Sequence, residues 1–462
     1  MKTIQLAARN LLRNRRRSLT TLLAMVIGAS SILLFGGYSR NITYGLQTGF
    51  VQRTGHLQIQ HKDFFLYGNG NPSAYGISSY QRIIDAVKQD AVLAPMLTVV
   101  TPTLQVSGIA GNFAAGVSRT VVGGGAIIAD QNKLRLWNDY DFPLHPKPLA
   151  LTGTSSDSAV IGTGVARVLQ LCAPLHVADC PQPPKKTVEE NSNLPSDIAA
   201  LTALEKTDKP AVSDTRIEML AASVRGAPNV AGLNVVKAEL QGLKEFDDIY
   251  IGMHLAQAQR LIYGSDEPKA TAIVMQLQHT AQIPAAQARL EHLLATSFKG
   301  EPLEIHDFAT LNPFYGQSIK MFAAIFSFIA LLIGAIVLFT VSNTMSMAVV
   351  ERTVEIGTLR AMGLRRGGIR ALFVWEGLLL GVIGAIIGVL VSLALSSAIN
   401  HSGMTWTPPG YAVAVPLTIH VWGETKLIVG SALGLMLVAV LSALWPANRA
   451  ARMVIVDALR HV

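Results

Sequence analysis

Charged side chains are scarce in this chain of 462 residues: Asp, Glu, Lys and Arg make up 15% of it. A soluble globular protein usually carries about 25%. Half of the residues are hydrophobic, so the composition argues against a purely cytosolic enzyme and for a protein partly dissolved in lipid. It also excludes a disordered chain. Cysteine is rarer still, with only Cys172 and Cys180 present, which excludes a disulfide-dense scaffold.

The sequence also lacks the phosphate-binding loop Gly-x-x-x-x-Gly-Lys-Ser/Thr, and it has no Gly-Lys dipeptide at all. In P-loop enzymes this loop and its lysine hold the phosphates of the nucleotide. We therefore expect that this chain does not hydrolyse ATP. No pair of nucleophile and base can be identified from spacing, so no catalytic residue is predicted. No cofactor site is predicted either, and no metal ligand apart from the weak candidate named below.

Four long stretches contain no Asp, Glu, Lys or Arg: 18–39, 321–350, 377–423 and 427–448. The apolar part of each reaches or exceeds the roughly 20 residues that a helix needs to cross a bilayer. Backbone groups in lipid must bond to each other, so helices are the predicted form. The first stretch, with its basic flank, has a cleaved signal peptide as its alternative. We prefer an uncleaved helix, because the stretch is longer than the roughly 7–15 apolar residues of a signal peptide.

Basic residues are concentrated in three short segments. Residues 1–17 carry six Lys or Arg and no acid, 351–370 carry five Arg and two Glu, and 449–462 carry three Arg and one Asp. Segment 40–320 has slightly more acids than bases. The positive-inside rule places the basic segments in the cytoplasm, and 40–320 and the loop 401–426 on the other side. A nucleic-acid-binding patch is the competing explanation, but no binding motif supports it.

The predicted fold is an α-helical membrane protein with four transmembrane helices and a large mixed α/β extracytoplasmic domain inserted between helices 1 and 2. Strand-like runs and one amphipathic helix indicate the α/β domain: 56–60, 97–106, 270–278 and 283–296. The predicted segments are, in order, an interfacial helix (1–17), helix 1 (18–39), the outer domain (40–312), a stalk with helix 2 (313–350), a cytoplasmic segment (351–370), helix 3 (371–400), a loop (401–426), helix 4 (427–448) and a tail (449–462).

Within the outer domain, residues 181–215 are rich in Pro, Lys, Asp and Ser and are typical of a mobile insertion loop. The strand-like runs on both sides of it indicate one subdomain split by an inserted one, at about 120–230. An oxidising compartment would allow a disulfide between Cys172 and Cys180, with two free thiols as the alternative. A metal site formed by the two cysteines and His176 is only weakly indicated. A structural zinc site needs a fourth ligand, which this set lacks.

The segment 351–370 (ERTVEIGTLRAMGLRRGGIR) is short, basic and helical in pattern up to Met362. The second membrane helix is predicted to start at Asn312-Pro313 and to run without interruption to Met362. Gly363 can then end this helix and allow the chain to return to the membrane. A segment held there can act only on something in the cytoplasm or at the inner headgroups. The alternative is a solvated loop whose arginines only set the topology.

The run ERTVEIGTLRAMG, followed by WEGLLLGVIGAIIG, resembles the signature region of the FtsX-like/MacB-type ABC transporter permease family (lipoprotein-release and macrolide-exporter-like permeases). The C-terminal WPANRAARMVIVDALR is similar to that family's closing pattern, although Ile455 stands where the family commonly has proline. The order of one helix, a large external domain and three helices is also that of the family. The close resemblance covers about 130 C-terminal residues.

The resemblance implies a non-enzymatic permease in a bacterial inner membrane, with both termini in the cytoplasm and the large domain in the periplasm. Such permeases pair with a cytoplasmic ABC ATPase dimer, which binds ATP and Mg and docks on the segment between the second and third helices. A second permease subunit, identical or different, completes the membrane unit. A periplasmic adaptor or a lipoprotein carrier is a further expected partner, and no nucleic acid is. The ATPase-coupling residues expected here are Glu351, Arg352, Glu355, Gly357, Arg360 and Gly363.

Small residues recur at helical spacing in the third and fourth helices, which allows close helix packing in lipid. We expect contacts within the bundle or between subunits at Gly377, Gly381, Gly384, Gly388, Gly430 and Gly434. Glu376 is expected at headgroup level, because it lies at the end of an apolar stretch. The apolar residues Ile4, Ala8, Leu11 and Leu12 suggest a short helix in the membrane interface.

The predicted function is that of a permease subunit which couples ATP hydrolysis in a partner to work in the periplasm. Release or translocation of lipoproteins and efflux of a hydrophobic compound are both open. The alternative is a transmembrane signal transducer that activates a periplasmic cell-envelope hydrolase. A membrane-anchored enzyme that uses the outer domain is the third hypothesis.

Overall fold

The computed structural model describes residues 2–68, 70–142, 146–178, 180, 215–407 and 414–460. They form two compact units. The first contains Met1–Leu46, Phe314–Trp406 and Val415–Val462, and the second contains Gln47–Pro313 and Thr407–Ala414. Apart from residue 215, the predicted insertion loop lies outside the described residues.

The helices and strands are named here in chain order. The helices are α1 (Lys2–Arg13), α2 (Arg15–Thr54), α3 (Phe64–Tyr67), α4 (Tyr80–Gln89), α5 (Ile128–Leu134), α6 (Thr163–Val168), α7 (Lys244–Asp247), α8 (Leu255–Tyr263), α9 (Ile283–Ser297), α10 (Phe308–Leu311), α11 (Pro313–Glu351), α12 (Thr353–Ala361), α13 (Arg366–His401), α14 (Thr425–Arg452) and α15 (Ile455–Arg460). The strands are β1 (Leu57–His61), β2 (Leu97–Asn112), β3 (Val117–Ala126), β4 (Ser158–Gly162), β5 (Arg216–Ala222), β6 (Pro228–Glu239), β7 (Tyr250–His254), β8 (Ala272–Leu277), β9 (Leu303–Asp307), β10 (Thr405–Trp406) and β11 (Val415–Pro416).

Four helices of the described chain are long and apolar enough to cross a membrane: α2, α11, α13 and α14. They contain the four uncharged stretches, so the predicted number of membrane helices is confirmed. The first of them continues well past residue 39, to Thr54. The second begins at Pro313, as predicted. The Asn312 side chain donates to the carbonyl of Phe308 at 2.7 Å and closes the preceding turn.

The second membrane helix does not run without interruption to Met362, and that prediction was wrong. Helix α11 ends at Glu351, and Arg352 leaves helical geometry with φ −106° and ψ 21° before α12 begins. Backbone hydrogen bonds continue on both sides of the break, from Arg352 to Ala348 and from Ile356 to Arg352. The interruption is therefore a bend, and it coincides with a buried arginine whose partners are described below.

The glycine stripe of α13 packs within the bundle. A Cβ on Gly381 would lie 2.9 Å from the Cβ of Ala439 in α14, and one on Gly388 would lie 2.3 Å from the Cβ of Ala29 in α2. Gly377 and Gly384 are similarly close to Ala443 and Met25. Each glycine therefore lets two helices approach to a distance that any side chain would prevent.

The two glycines of α14 differ from those of α13. A Cβ on Gly430 or Gly434 would meet nothing within 4 Å. The described part of the chain therefore does not use this second pair for close packing. Whether it packs against another subunit stays a prediction.

Six strands of the second unit, which is named the outer unit after its predicted location, close into a barrel. The order β3-β7-β4-β6-β5-β2 is completed by pairing of β2 with β3. The β3–β7 and β4–β6 pairs are parallel, and the other pairs of the ring are antiparallel. Its buried core extends from Leu104 to Tyr263, so this subdomain is wider than the predicted 120–230.

Strand β2 also belongs to a second layer. Its first half pairs with β8, which pairs with β1, which pairs with β9. Helices α4 and α9 cover this sheet with Ile83, Val87, Ala286 and Leu290 in a separate hydrophobic core. The runs predicted as strands at 56–60, 97–106 and 270–278 correspond to β1, β2 and β8, and the helix predicted at 283–296 corresponds to α9.

A fully buried histidine joins the start of β1 to the end of β8. The Nδ1 atom of His56 accepts a hydrogen bond from the backbone N–H of Leu277 at 3.0 Å, and its Nε2 lies 3.3 Å from the hydroxyl of Thr280. The ring lies edge-on to Trp137, with 4.9 Å between ring centroids. Burial lowers the pKa of His56 to about 4, although the charge of Asp139 opposes this. The imidazole is therefore neutral at physiological pH.

The outer unit should lose stability in acid because of His56. Its folded pKa of about 4 lies below the ordinary 6.5, so its contribution is present above pH 6.5 and is lost as the pH falls toward 4. The shift corresponds to about 3 kcal/mol of unfolding free energy. Melting temperatures of the detergent-solubilised protein at pH 7, 5.5 and 4.5 should fall more steeply for the wild type than for His56→Gln. Parallel decreases would contradict this assignment.

Candidate coupling site at the end of the second membrane helix

The segment 351–370 folds as the predicted helix and turn. After α12, Gly363 adopts φ +96°, a left-handed conformation that glycine reaches without strain. The N–H of Gly363 bonds to the carbonyl of Arg360 and the N–H of Leu364 to that of Leu359, both at 3.0 Å. These two bonds form a Schellman motif, which ends the helix and turns the chain toward α13.

Arg352, at the bend between α11 and α12, points into the bundle. Only 7% of the residue is exposed. Its Nη1 donates to Oε1 of Glu376 and its Nε donates to Oε2 of Glu355, both at 3.0 Å. Its guanidinium also lies over the ring of Phe373, 5.9 Å from the centroid. We expected Arg352 to pair with a partner ATPase, but its charge is already satisfied inside this chain.

Glu376 is buried within the helix bundle, and its position at headgroup level stays a prediction. It is 3% exposed. The same Oε1 atom that receives Arg352 also accepts a hydrogen bond from Nδ2 of Asn10 at 2.7 Å. A buried carboxylate is tolerated only when it is paired and hydrogen-bonded, which is why this position within an apolar helix can hold a charge.

Two further ion pairs connect the amino-terminal helices to this segment. Arg13 of α1 contacts Glu355, and Arg17 of α2 contacts Glu351. Both glutamates stay nearly half exposed. Burial raises the pKa of Glu355, but hydrogen bonds from Arg352 and Arg13 outweigh it, so the pKa lies below its ordinary value. Glu355 is therefore ionised at neutral pH.

The inner face of α12 is fixed by packing. Ile356 and Gly357 are buried, Ile356 in a cluster that includes Phe373 of α13 and Ala447 of α14. The guanidinium of Arg360 donates to the backbone carbonyl of Met453, just after α14. Gly357 is therefore buried within this chain, and Arg360 is half-buried and bonded rather than free.

The outer face of α12 is exposed and largely apolar. Val354, Thr358 and Met362 follow one another at intervals of four and all are exposed, as is Val350 before the bend. Such residues lie on one side of a helix. Of the six predicted coupling residues, Glu351, Glu355 and Gly363 share this exposure. The sequence analysis missed Met362, although its spacing from Val354 is visible in the sequence.

The sequence analysis also missed Asn10, Arg13 and Arg17 as parts of this site. Asn10 and Arg17 line a cavity of about 30 Å³ between the helices. Thr21, Thr344, Arg352 and Glu376 also line it. The only sequence signal for Arg13 and Arg17 was their basic charge, which we attributed to topology, and Asn10 gave no signal. Their partners lie more than 300 residues away along the chain.

Outside this region, Cys172 and Cys180 are joined by a disulfide, with 6.1 Å between their Cα atoms. His176 lies in the loop between them with φ +53°. Among the described residues, no group of three His, Cys, Asp or Glu could hold a metal ion. The weakly indicated metal site is therefore not formed by the described residues.

Comparison with known proteins identifies the carboxy-terminal part. Residues 322–455 match the family described as FtsX-like permease C-terminal. An uncharacterised ABC transporter permease of Methanocaldococcus jannaschii is 35% identical over 132 residues, which cover 29% of this chain and 30% of that protein. The macrolide export ATP-binding/permease protein MacB of Neisseria meningitidis is 28% identical over 201 residues, which cover 42% of this chain and 28% of the relative.

The lipoprotein-releasing system transmembrane protein LolC of Haemophilus influenzae is 34% identical over 141 residues, which cover 28% of this chain and 33% of LolC. The matches thus span about a third or less of these relatives. The periplasmic region of MacB from Actinobacillus actinomycetemcomitans aligns with 57% of this chain and 94% of its own, at 10% identity and a TM-score of 0.31, which is too low to support an argument about fold. Residues 322–455, with segment 351–370 inside them, thus resemble an FtsX-like permease C-terminal domain.

Proposed function

We propose that this chain is the membrane subunit of an ABC transporter, driven by a separate ATPase that docks on α12. The observation that carries the proposal is the two-sided character of this short helix. Its inner face is fixed to α13, α14 and Arg352, and its outer face exposes Val354, Thr358 and Met362 beside the ionised Glu355. An exposed apolar strip with a charged rim is typical of a protein–protein interface.

The contacts of α12 would carry motion into the membrane helices. Because Arg360 is bonded to Met453 and Ile356 is buried against α13 and α14, α12 cannot shift without these helices. Close-packed interiors respond to displacement by moving as units rather than by compressing. A partner that pushes or tilts α12 would therefore move the ends of three membrane helices together.

The family match and the named relatives support this class of function. Relatives are described as ABC transporter permeases, as a macrolide exporter and as part of a lipoprotein-releasing system. For this chain we propose work in a periplasm, such as lipoprotein release or efflux of a hydrophobic compound. ATP and Mg would be bound by the ATPase dimer, and a second permease subunit would complete the complex. A transducer that activates an envelope hydrolase is the second candidate, since it would use the same coupling site.

The test is loss of the ATPase from complexes purified through this chain. The double variant Val354→Glu, Met362→Glu should retain less than a tenth of the ATPase activity that co-purifies with the wild type, because two charges then face the docking surface. Val456→Glu is the matched control, since Val456 is as exposed but lies on α15. Equal ATPase activity in the double variant and the wild type would contradict docking on α12.

The two candidate functions can be distinguished in cells that express the double variant Val354→Glu, Met362→Glu. A transporter predicts that the double variant accumulates a lipoprotein precursor or a hydrophobic compound within the cell. A transducer predicts loss of envelope hydrolase activity without such accumulation. We expect accumulation.

A further inference from the structure

One carboxylate oxygen connects three helical segments of the membrane unit. Oε1 of Glu376, in α13, receives Nδ2 of Asn10 from α1 at 2.7 Å and Nη1 of Arg352 from the bend before α12 at 3.0 Å. Asn10, Arg352 and Glu376 are 9%, 7% and 3% exposed. These groups are removed from solvent, so the geometry does not depend on mobile surface side chains.

The network returns to α1 by a second route. Arg352 also donates to Glu355, and Glu355 in turn contacts Arg13. Asn10 and Arg13 are three residues apart, so they lie on the same side of α1. The amino-terminal helix is thus held at two neighbouring points, once through the buried Glu376 and once through the exposed Glu355.

The two points differ in how easily they can be broken. The Glu355–Arg13 pair is exposed, and exposed ion pairs are weak and screened by salt. The Glu376–Arg352 pair is buried, and removal of one partner leaves an uncompensated charge in the bundle. A partner that binds Glu355 can therefore take it from Arg13 without disturbing the buried pair.

We propose that Glu376 is a positioning residue which fixes the bend at Arg352 and holds α1 close to α12, so that α1 is part of the element that receives force from the partner ATPase. The structural half of this inference is that Glu376 fixes the bend and α1, and it stands on the contacts alone. The coupling half is that α1 receives force from the ATPase, and it rests on the proposed function. Glu376 is buried and therefore does not contact the ATPase directly. It acts through Arg352 and Asn10.

The structural half is tested on the whole protein in lipid nanodiscs without any ATPase. Hydrogen exchange of α1 amides, followed by mass spectrometry, should be at least tenfold faster in Glu376→Gln than in the wild type. Glu424→Gln is the matched control, because Glu424 is also a partly buried glutamate of this unit and bonds to Tyr44 at 2.6 Å. Unchanged exchange of α1 in Glu376→Gln would overturn the proposal.

A charge-free double variant separates positioning from general stability. Arg352→Met with Glu376→Leu removes both buried charges and leaves neither unpaired. The melting temperature of this double variant should therefore lie within a few degrees of the wild type. Exchange of α1 should be fast, since leucine at position 376 offers Asn10 no acceptor. Recovery of slow exchange in the double variant would show that Glu376 acts only on stability, and would overturn its role as a positioning residue.

The coupling half is tested in the complex with the co-purified ATPase. Glu376→Gln should still bind the ATPase, because α12 keeps its outer face, but the substrate-dependent part of ATP hydrolysis should fall at least fivefold. Full coupling despite fast α1 exchange would overturn this half. Failure of the wild type to bind any ATPase would instead count against the proposed function and leave the exchange result unaffected.

Discussion

Leucine in place of Gly388 is expected to prevent correct assembly of the membrane helices. A Cβ at this position would lie 2.3 Å from the Cβ of Ala29 and 3.4 Å from the carbonyl oxygen of Val26. Helices α13 and α2 would have to separate, and the packing around Met25 and Leu380 would be lost with them. Overpacking of a core costs about 1–3 kcal/mol even where neighbours can adjust, and we expect at least the upper end here.

The measurement is the yield and melting temperature of the protein after size-exclusion chromatography in mild detergent. Gly430→Leu is the matched control, because it makes the same substitution in a membrane helix at a position with nothing within 4 Å. The control should behave like the wild type in this assay. A monodisperse Gly388→Leu protein with an unchanged melting temperature would mean that α13 and α2 do not pack as described.

Removal of the Asp247 carboxylate should destabilise the barrel of the outer unit by about 3–5 kcal/mol. Asp247 is 4% exposed. Its oxygens accept hydrogen bonds from the N–H groups of Thr163 at 2.9 Å and Gly164 at 3.1 Å, and from the Thr163 hydroxyl. These N–H groups belong to the start of α6 and have no partner within that helix. In Asp247→Ala they would stay buried and unbonded.

The expected result is a lower midpoint of urea unfolding for the signals of the outer unit. Asp266→Ala is the control: the carboxylate of Asp266 is also paired, with Arg225 at 2.6 Å, but both side chains are exposed. Exposed pairs contribute about 0–1 kcal/mol, so this control should change the midpoint little. Equal shifts in the two variants would show that the buried network around Asp247 is not as described.

The membrane helices could be predicted from the sequence because their signal is local. Each needs only a long stretch without charge, and the Gly377 to Gly388 stripe needs only a spacing of about one helical turn. The resemblance to the permease family likewise depends on contiguous motifs in the last third of the chain. For these features, neighbouring residues carry the information, and the structure and the comparisons agree with the predictions.

The buried charges could not be predicted, because their partners are distant in sequence. Nothing near Glu376 reveals that Asn10 will reach it, and the two are 366 positions apart. The helical pattern of 351–362 likewise predicted a rod through Arg352, since an arginine is a good helix former. The bend arises from a tertiary contact, which outweighs the local preference.

The barrel was missed for the same reason. Two of its six strand pairings are parallel, and they join segments that are far apart in the chain. Alternation of burial is clear only in β5, where every second residue is buried. The sequence therefore indicated several strands and an insertion, but neither the order of the strands nor the closure.

Strand β2 has one further consequence. Its 16 residues serve the barrel with one half and the second sheet with the other, without a break in the chain. Neither subdomain can be excised as a cassette, because each deletion would cut through the strand that lines the other's core. We therefore expect the two to unfold cooperatively, and chimaeras of this outer domain should exchange both together.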